Sequence, residues 1–409
     1  MKTEKPINIL TADLIIPDLI VHIKDNEKLQ HLVDKYKLEP GGKKALTDDQ
    51  FKEFSEVVEE MKKAGNLSVE PGGSSANVLV TLSKLLGRDK FNIKYLGIAG
   101  SDEYSDKVKK SFKEVGIELL PDAKSYRDHD QKPQSATSFV LMYPNGQRTI
   151  VTHPGNARNI LKSDMVTEDM IKNSDVVFMQ GSLWERFDHD FVNKLTDLRF
   201  KNQKELWLAL PTHAKFGEEN ANLFQFIIPS ANVILGNKEE LDRIYKNSQE
   251  VDGDLHRDSI HALRDVLEKS KDFFKEKGWK SYRQPVALIT NDTNPAYIIT
   301  GSGNPSEDYL TRGITKIDVK KIEDKDIVNK LGAGDTSFAG FLTGLIKNRT
   351  NAEAAELAML MAGEKVREEG PRLVDPRGTL RKATNMRRIP EDLANSVLNS
   401  ERNLVGVGL

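Results

Sequence analysis

Cysteine is absent from this 409-residue chain, which excludes disulfides, thiolate metal centres and a Cys nucleophile. An excess of either charge is absent too. Sixty Lys and Arg stand against 62 Asp and Glu, for a formal net charge of −2. No global field therefore draws the chain to nucleic acid or to an anionic membrane. No apolar run is long enough to span a bilayer, and Met1-Lys2-Thr3-Glu4-Lys5-Pro6 leads into a strand pattern rather than a signal segment. Together with the missing cysteine this fits a cytoplasmic protein. The eight histidines lack metal-type pairing, and His153, in His153-Pro154-Gly155, reads as a turn residue. The length suits one large α/β domain with insertions, or two ordinary domains.

What is present is an alternation of short apolar runs and amphipathic stretches. Ile7–Leu10, Ile93–Ile98, Val176–Met179, Leu206–Leu210, Val233–Leu235, Val286–Ile289 and Ala296–Ile299 read as strands. Asn77–Leu86, Ser105–Val115, Phe187–Leu198, Lys238–Tyr245 and Ile260–Lys277 read as helices between them. Strands buried on both faces and separated by helices predict a mainly parallel sheet in an α/β fold. Ligands then sit outside the carboxyl ends of the strands. Two segments break the rhythm. Residues 14 to about 69 begin with branched apolar residues and turn charged and helical. Ala136–Met142, the turn Tyr143-Pro144-Asn145-Gly146, and Arg148–Thr152 read as a hairpin. Both fit a small β lid, formed by about 14–69 and 136–153, on a single domain spanning 1–409; two ordinary insertions are the alternative. Near the end, Thr350-Asn351-Ala352-Glu353 has capping-box spacing before a small-residue helix. With Gly340 and Gly344 on the helix before it, this predicts a close helix–helix contact. Residues 381–409 read as a peripheral tail.

The chemistry concentrates in Leu331-Gly332-Ala333-Gly334-Asp335, ahead of an apolar helix read as Thr336–Ile346. Glycines flanking an alanine let consecutive amides point at one spot. That spot lies at a helix N-terminus, where unpaired donors and the dipole favour a phosphate. Asp335 is one residue further on, placed to take a proton from an attacking hydroxyl. Charge stabilisation joined to an oriented nucleophile is what phosphoryl transfer requires, whereas a lone GxGD reads first as a helix-capping turn with an N-terminal Asp. A second glycine turn, Pro71-Gly72-Gly73-Ser74-Ser75-Ala76-Asn77, opens the Asn77–Leu86 helix, and Asn77 offers both a donor and an acceptor. Asp18 is a carboxylate among Ile15, Ile16, Leu19 and Ile20. Buried there it needs donors, and two sugar hydroxyls would supply them; a turn residue after Pro17 is the other reading.

Taken together these residues resemble the PfkB (ribokinase-like) family of small-molecule kinases, and the resemblance covers nearly the whole chain. The family's later signature stands here as Asn329-Lys330-Leu331-Gly332-Ala333-Gly334-Asp335 with Gly340 following, and the earlier one as Gly72-Gly73-Ser74-Ser75-Ala76-Asn77. Within the family the chain is similar to the nucleoside kinases, both the adenosine kinase and the inosine-guanosine kinase branches. It shares their long helical insert before Gly72, Asp13…Asp18 with Asp34-Lys35-Tyr36, and Tyr143-Pro144-Asn145-Gly146-Gln147-Arg148-Thr149. Pro371-Arg372-Leu373 resembles the inosine-guanosine branch. It departs in carrying Thr11-Ala12 in place of glycine, Thr290-Asn291-Asp292 in place of a glycine-containing turn, and Lys330-Leu331 in place of a small polar pair.

The resemblance implies a ribokinase-like α/β fold with a small β lid and ATP-dependent phosphorylation of the 5′-hydroxyl of a purine nucleoside. Asp335 would be the base, with the amides of Gly332, Ala333 and Gly334, assisted by Arg148, as the anion hole. Asp18, Gly72, Gly73 and Asn77 would hold the nucleoside. Asn237, Thr290, Gly332 and Gly334 would contact ATP, and Asn237 and Glu240, in Gly236-Asn237-Lys238-Glu239-Glu240, would organise Mg²⁺ through water. K⁺ activation stays open, as does the choice between monomer and homodimer; neither nucleic acid nor membrane is implied as a partner. A kinase of a free sugar such as ribose or fructose is the alternative of the same fold, and a non-catalytic ligand-binding relative would show a broken base or anion hole. A Rossmann oxidoreductase would carry its glycines straight after the first strand, where this chain has Thr11-Ala12-Asp13.

Overall fold

The computed structural model describes residues 5–120, 134–144, 147–155, 161–183, 189–211, 227–252, 258–276, 279, 284–292, 294–301, 312–385 and 390–398. The start of the expected Phe187–Leu198 helix and the hairpin tip Asn145-Gly146 lie outside these residues.

Nine strands make the large sheet: β1 (Ile7–Ala12), β5 (Phe91–Leu96), β6 (Ile117–Leu120), β9 (Val176–Gln180), β10 (Glu205–Ala209), β11 (Val233–Asn237), β12 (Val286–Thr290), β13 (Ala296–Thr300) and β14 (Ile314–Ile317). Their spatial order is β14-β13-β12-β11-β10-β9-β1-β5-β6. From β6 to β12 all neighbours are parallel; β13 runs antiparallel to both β12 and β14. The central strands are buried on both faces because helices cover both. On one face Ile9, Phe178, Trp207 and Leu288 pack with the helices Ser74–Leu86 and Ala333–Ile346. On the other, Leu10, Val177, Leu208 and Ala287 pack with Phe191, Leu195, Leu263 and Leu267. The expected small-residue contact is present. A methyl added at Gly344 would lie 2.6 Å from Ala354 Cα, and one at Gly340 would lie 3.0 Å from Ala358 Cα.

The second sheet has five strands in the order β3-β8-β7-β2-β4, namely β3 (Lys43–Ala45), β8 (Arg148–His153), β7 (Thr137–Met142), β2 (Pro17–His22) and β4 (Ser68–Pro71). The expected hairpin is its centre, with Met142 opposite Arg148. Alternation along each strand gives the sheet two unlike faces. Leu19, Val21, Phe139, Leu141 and Val151 bury against the helices Glu27–Lys35 and Asp48–Lys63 in a core of their own. The opposite face carries Ile20, Val140, Met142 and Ile150, which close on Leu331. The small sheet is therefore pressed onto the residue just before the Gly332 turn.

Two expectations on extent are corrected. The helix after that turn starts at Ala333, not Thr336, so Asp335 lies inside its first turn. Part of the segment from 381 onward is core rather than periphery. Helices Pro376–Asn385 and Glu391–Leu398 bury Leu380, Ala383, Leu393, Ala394 and Val397 against the large-sheet core.

Candidate functional site

Gly332 adopts φ +74°, in the left-handed region, and a Cβ there would sit 1.7 Å from the Pro371 carbonyl oxygen. Only glycine fits. The Asn329 side chain accepts a bond from the Leu331 amide at 2.8 Å and so folds the chain into the turn. Ala333 and Gly334 then form the first turn of the helix, where backbone amides have no intrahelical carbonyl to bond. The Ala333 amide donates to the Lys330 carbonyl at 3.3 Å; around Gly334 a side chain would meet nothing within 4 Å. Gly334 thus leaves free space beside the turn.

The second glycine turn meets the first. Gly73, at φ +88°, caps the Ser74–Leu86 helix, and Asn77 lies in its first turn. The Asn77 Nδ2 donates to Asp335 Oδ2 at 2.8 Å, across 258 residues of sequence. A Cβ on Gly72 would lie 2.4 Å from Asp18 Cγ, so the absent side chain makes the room in which that carboxylate sits. Asp18 itself is part of β2, paired in register with Ser138 and hydrogen-bonded to its side chain. It is a strand residue, not the turn residue that Pro17 also allowed.

The electrostatics tie these groups into one site. Burial pushes the Asp18 carboxyl up to about 7, opposed by the Ser138 bond and the positive charges of Arg372 and Arg148, and reinforced by Asp335. Burial likewise lifts Asp335, opposed by the Asn77 bond and by Lys43, Arg372 and Arg148. Arg148 stands at the start of β8, where the Gly41 amide donates to its carbonyl; it feels both carboxylates, while burial lowers its own pKa. Asp335, Gly332, Ala333, Gly334, Asn77, Gly72, Gly73, Asp18 and Arg148 thus come together where the small sheet meets two helix N-termini.

Asn237, Glu240 and Thr290 lie at the carboxyl ends of β11 and β12, with Asn237 opposite Thr290. Asn237 and Glu240 bond each other. The Glu240 amide donates to Asn237 Oδ1 at 2.8 Å, and the Asn237 amide donates to Glu240 Oε2 at 2.9 Å. The Asn237 side chain is therefore engaged as a helix cap. Burial lifts Glu240 to about 7, and the charge of Asp335 adds to this. Thr290 Oγ1 donates to the Gly236 carbonyl at 3.4 Å. No cluster of three or more His, Cys, Asp or Glu that could hold a metal occurs among the described residues.

Three cations were not singled out as site residues from sequence. Lys43, on the short edge strand β3, places a charge felt by both Asp335 and Glu240. Lys365 is fully buried and donates to the carbonyls of Asn329 and Glu368 at 3.4 and 3.1 Å; burial pushes its pKa down to about 8. Arg372 donates to Asn77 Oδ1 at 2.5 Å, to the Gly72 carbonyl at 3.2 Å and to Ser111 Oγ at 3.1 Å. All three belong to segments without strong periodicity, and Arg372 reaches partners some 300 residues away. A separate cavity of about 900 Å³, lined by Asp318, Ile322, Met359, Glu364, Arg381 and Leu398 among others, borders none of the expected site residues.

A doubly covered, mainly parallel sheet, a second small sheet, and a carboxylate set at a glycine-rich helix start define a ribokinase-like phosphotransferase. The model of the pfkB family carbohydrate kinases matches residues 46–377, and the chain belongs to that family; its members transfer a phosphoryl group to an alcohol acceptor. Among curated relatives, adenosine kinase of Dictyostelium discoideum is 22% identical over 368 residues, covering 89% of this chain and 96% of the relative. Among solved structures, adenosine kinase from Sinorhizobium meliloti superposes with a TM-score of 0.68 at 20% identity, covering 93% of this chain and all of that one. A probable sugar kinase from Rhizobium etli gives 0.68 at 19%, covering 94% and 100%. At these identities the structural likeness speaks to the fold.

Proposed function

We propose that the protein transfers the γ-phosphoryl group of ATP to the 5′-hydroxyl of a purine nucleoside, adenosine or inosine/guanosine. The observation that carries this is the Asn77–Asp335 hydrogen bond, which joins a carboxylate at an anion-binding turn to the cradle formed around Asp18 by the missing side chain of Gly72. Asp18 accepts bonds from two ribose hydroxyls, whose donors offset the desolvation that lifts its pKa, and Gly73 and Asn77 bound the sugar. Asp335 takes the proton of the primary alcohol as it attacks; burial raises its pKa, which makes it a stronger base than a free carboxylate. The amides of Gly332, Ala333 and Gly334, with the Arg148 guanidinium, stabilise charge on the transferring group. The small sheet acts as the lid that keeps water away from it. Glu240, positioned by Asn237, would hold Mg²⁺ through water, and the ion would supply charge neutralisation at the phosphates; Thr290 borders the nucleotide. The named activity of the adenosine kinase relatives supports the nucleoside reading.

A free sugar as acceptor is the second reading, favoured by the likeness to a probable sugar kinase. Coupled ADP release with ATP-Mg²⁺ and a panel of adenosine, inosine, guanosine, cytidine and ribose separates the two. Turnover is expected on at least one purine nucleoside and not on ribose. Turnover on ribose with none on nucleosides would establish the sugar kinase instead.

A further inference from the structure

Asparagine's amide is nearly symmetric in shape, so its orientation is set by whatever it faces. Arg372 has only donors to offer, so the side of Asn77 that meets it must be the carbonyl oxygen. The NH₂ is thereby turned to Asp335 and occupies Oδ2. With the amide rotated, two oxygens would face each other and the bond to Asp335 would become a repulsion.

We propose that Arg372 is a positioning residue for the phosphoryl-transfer step, locking Asn77 amide-side toward Asp335 and so holding the base with one oxygen fixed and the other aimed at the acceptor alcohol. The proposal rests on Asp335 being the base. Its geometry extends beyond that pair. The same guanidinium holds the carbonyl of Gly72, the residue whose missing side chain accommodates Asp18, and the preceding residue, Pro371, places its carbonyl against Gly332. Residues 371–372 therefore touch both glycine turns and set the distance between them. Ser111 anchors the third corner. A buried arginine spending three donors on neutral oxygens is an expensive way to obtain stability alone, and its planar fork is what holds three acceptors in fixed directions. Asp335 is also faced by Lys43 and Arg148 as cations and by Asp18 and Glu240 as carboxylates. Losing Arg372 therefore reduces the positive charge around the base without abolishing it.

The test compares Arg372→Met and Arg372→Lys with the wild type in kcat, KM and the acid limb of the kcat–pH profile, with melting curves as the folding control. Arg372→Met should lose about 10²-fold in kcat, the scale of a misplaced catalytic group, with nucleoside KM changed far less and the acid limb displaced to higher pH. Arg372→Lys retains a charge but not the fork. It should keep the limb near its wild-type position while still losing about tenfold in kcat. A stability role alone would scale the rate with folded fraction and leave the limb in place. A folded Arg372→Met with wild-type kcat and limb overturns the proposal. Should that variant fail to fold, a wild-type kcat in Arg372→Lys overturns it equally. Asp335→Asn separates the two levels. Activity in that variant removes the base itself, whereas an inactive Asp335→Asn beside a normal Arg372→Met removes only the positioning role.

Discussion

Asp18→Asn tests the sugar cradle through stability as well as through binding. Burial raises Asp18 from 3.8 to about 7. Each unit corresponds to about 1.4 kcal/mol, so holding this carboxylate ionised costs up to about 4 kcal/mol before relaxation. Below about pH 4 both folded and unfolded chains carry the proton and nothing is lost. Between about pH 4 and 7 the unfolded chain releases it first, so stability falls as pH rises, and above 7 the loss is complete. Asparagine removes that slope while retaining a side chain that can bond Ser138. Denaturant titrations of both proteins from pH 4 to 8 should therefore converge at the acid end, with the variant the more stable by about 1–4 kcal/mol at pH 8. The same variant forfeits charge-assisted bonds to two hydroxyls, each worth about 1.5–3 kcal/mol, and nucleoside affinity at pH 8 should fall by at least about 10²-fold. Nucleoside binding to the wild type near pH 7 should release a proton, visible in calorimetry across buffers of different ionisation enthalpy. Equal pH slopes in the two proteins, or undiminished binding by the variant, would refute the assignment.

Further outcomes follow from individual contacts. Gly332→Ala puts a methyl 1.7 Å from the Pro371 oxygen at φ +74°. The left-handed backbone alone costs roughly 1–2 kcal/mol, and overlap adds about 1–3 kcal/mol. Its melting temperature should drop measurably, while Gly334→Ala, with open space around it, should melt as the wild type does. Lys43→Met removes a charge that lowers the pKa of Asp335, so the acid limb of kcat should move to higher pH in steady-state assays; an unmoved limb places Lys43 outside the site.

The legibility of the molecule follows the strength of local pattern. Val176–Gln180 and Val286–Thr290 were readable because strands buried on both faces are continuously apolar. The β7–β8 hairpin is readable because the turn residues Tyr143-Pro144-Asn145-Gly146 separate two strand-like runs. Lys43–Ala45, Ser68–Pro71 and Ile314–Ile317 are short sheet-edge strands of mixed polarity with no fully buried residue, so no apolar run marks them in the sequence. The segment after 381 misled because its buried residues are small or interrupted by charge: Ala383 and Ala394 are wholly enclosed, yet the surrounding sequence is polar. In the site, glycine turns and the helix start announce themselves locally. Arg372 does not, since its partners Asn77 and Gly72 are defined only by the tertiary fold. Lys43 is similar: it stays exposed on an edge strand, and only the docking of the small sheet brings its charge to bear on Asp335.

Turnover of Asp335→Asn on the preferred nucleoside tests the central claim most directly. Asparagine can still accept the Asn77 bond, so the variant should fold and bind nucleoside within a few-fold of the wild type, while kcat falls by about 10²–10⁴, the range for a lost general base. A folded variant with kcat within about threefold of the wild type, well short of that range, would contradict the account.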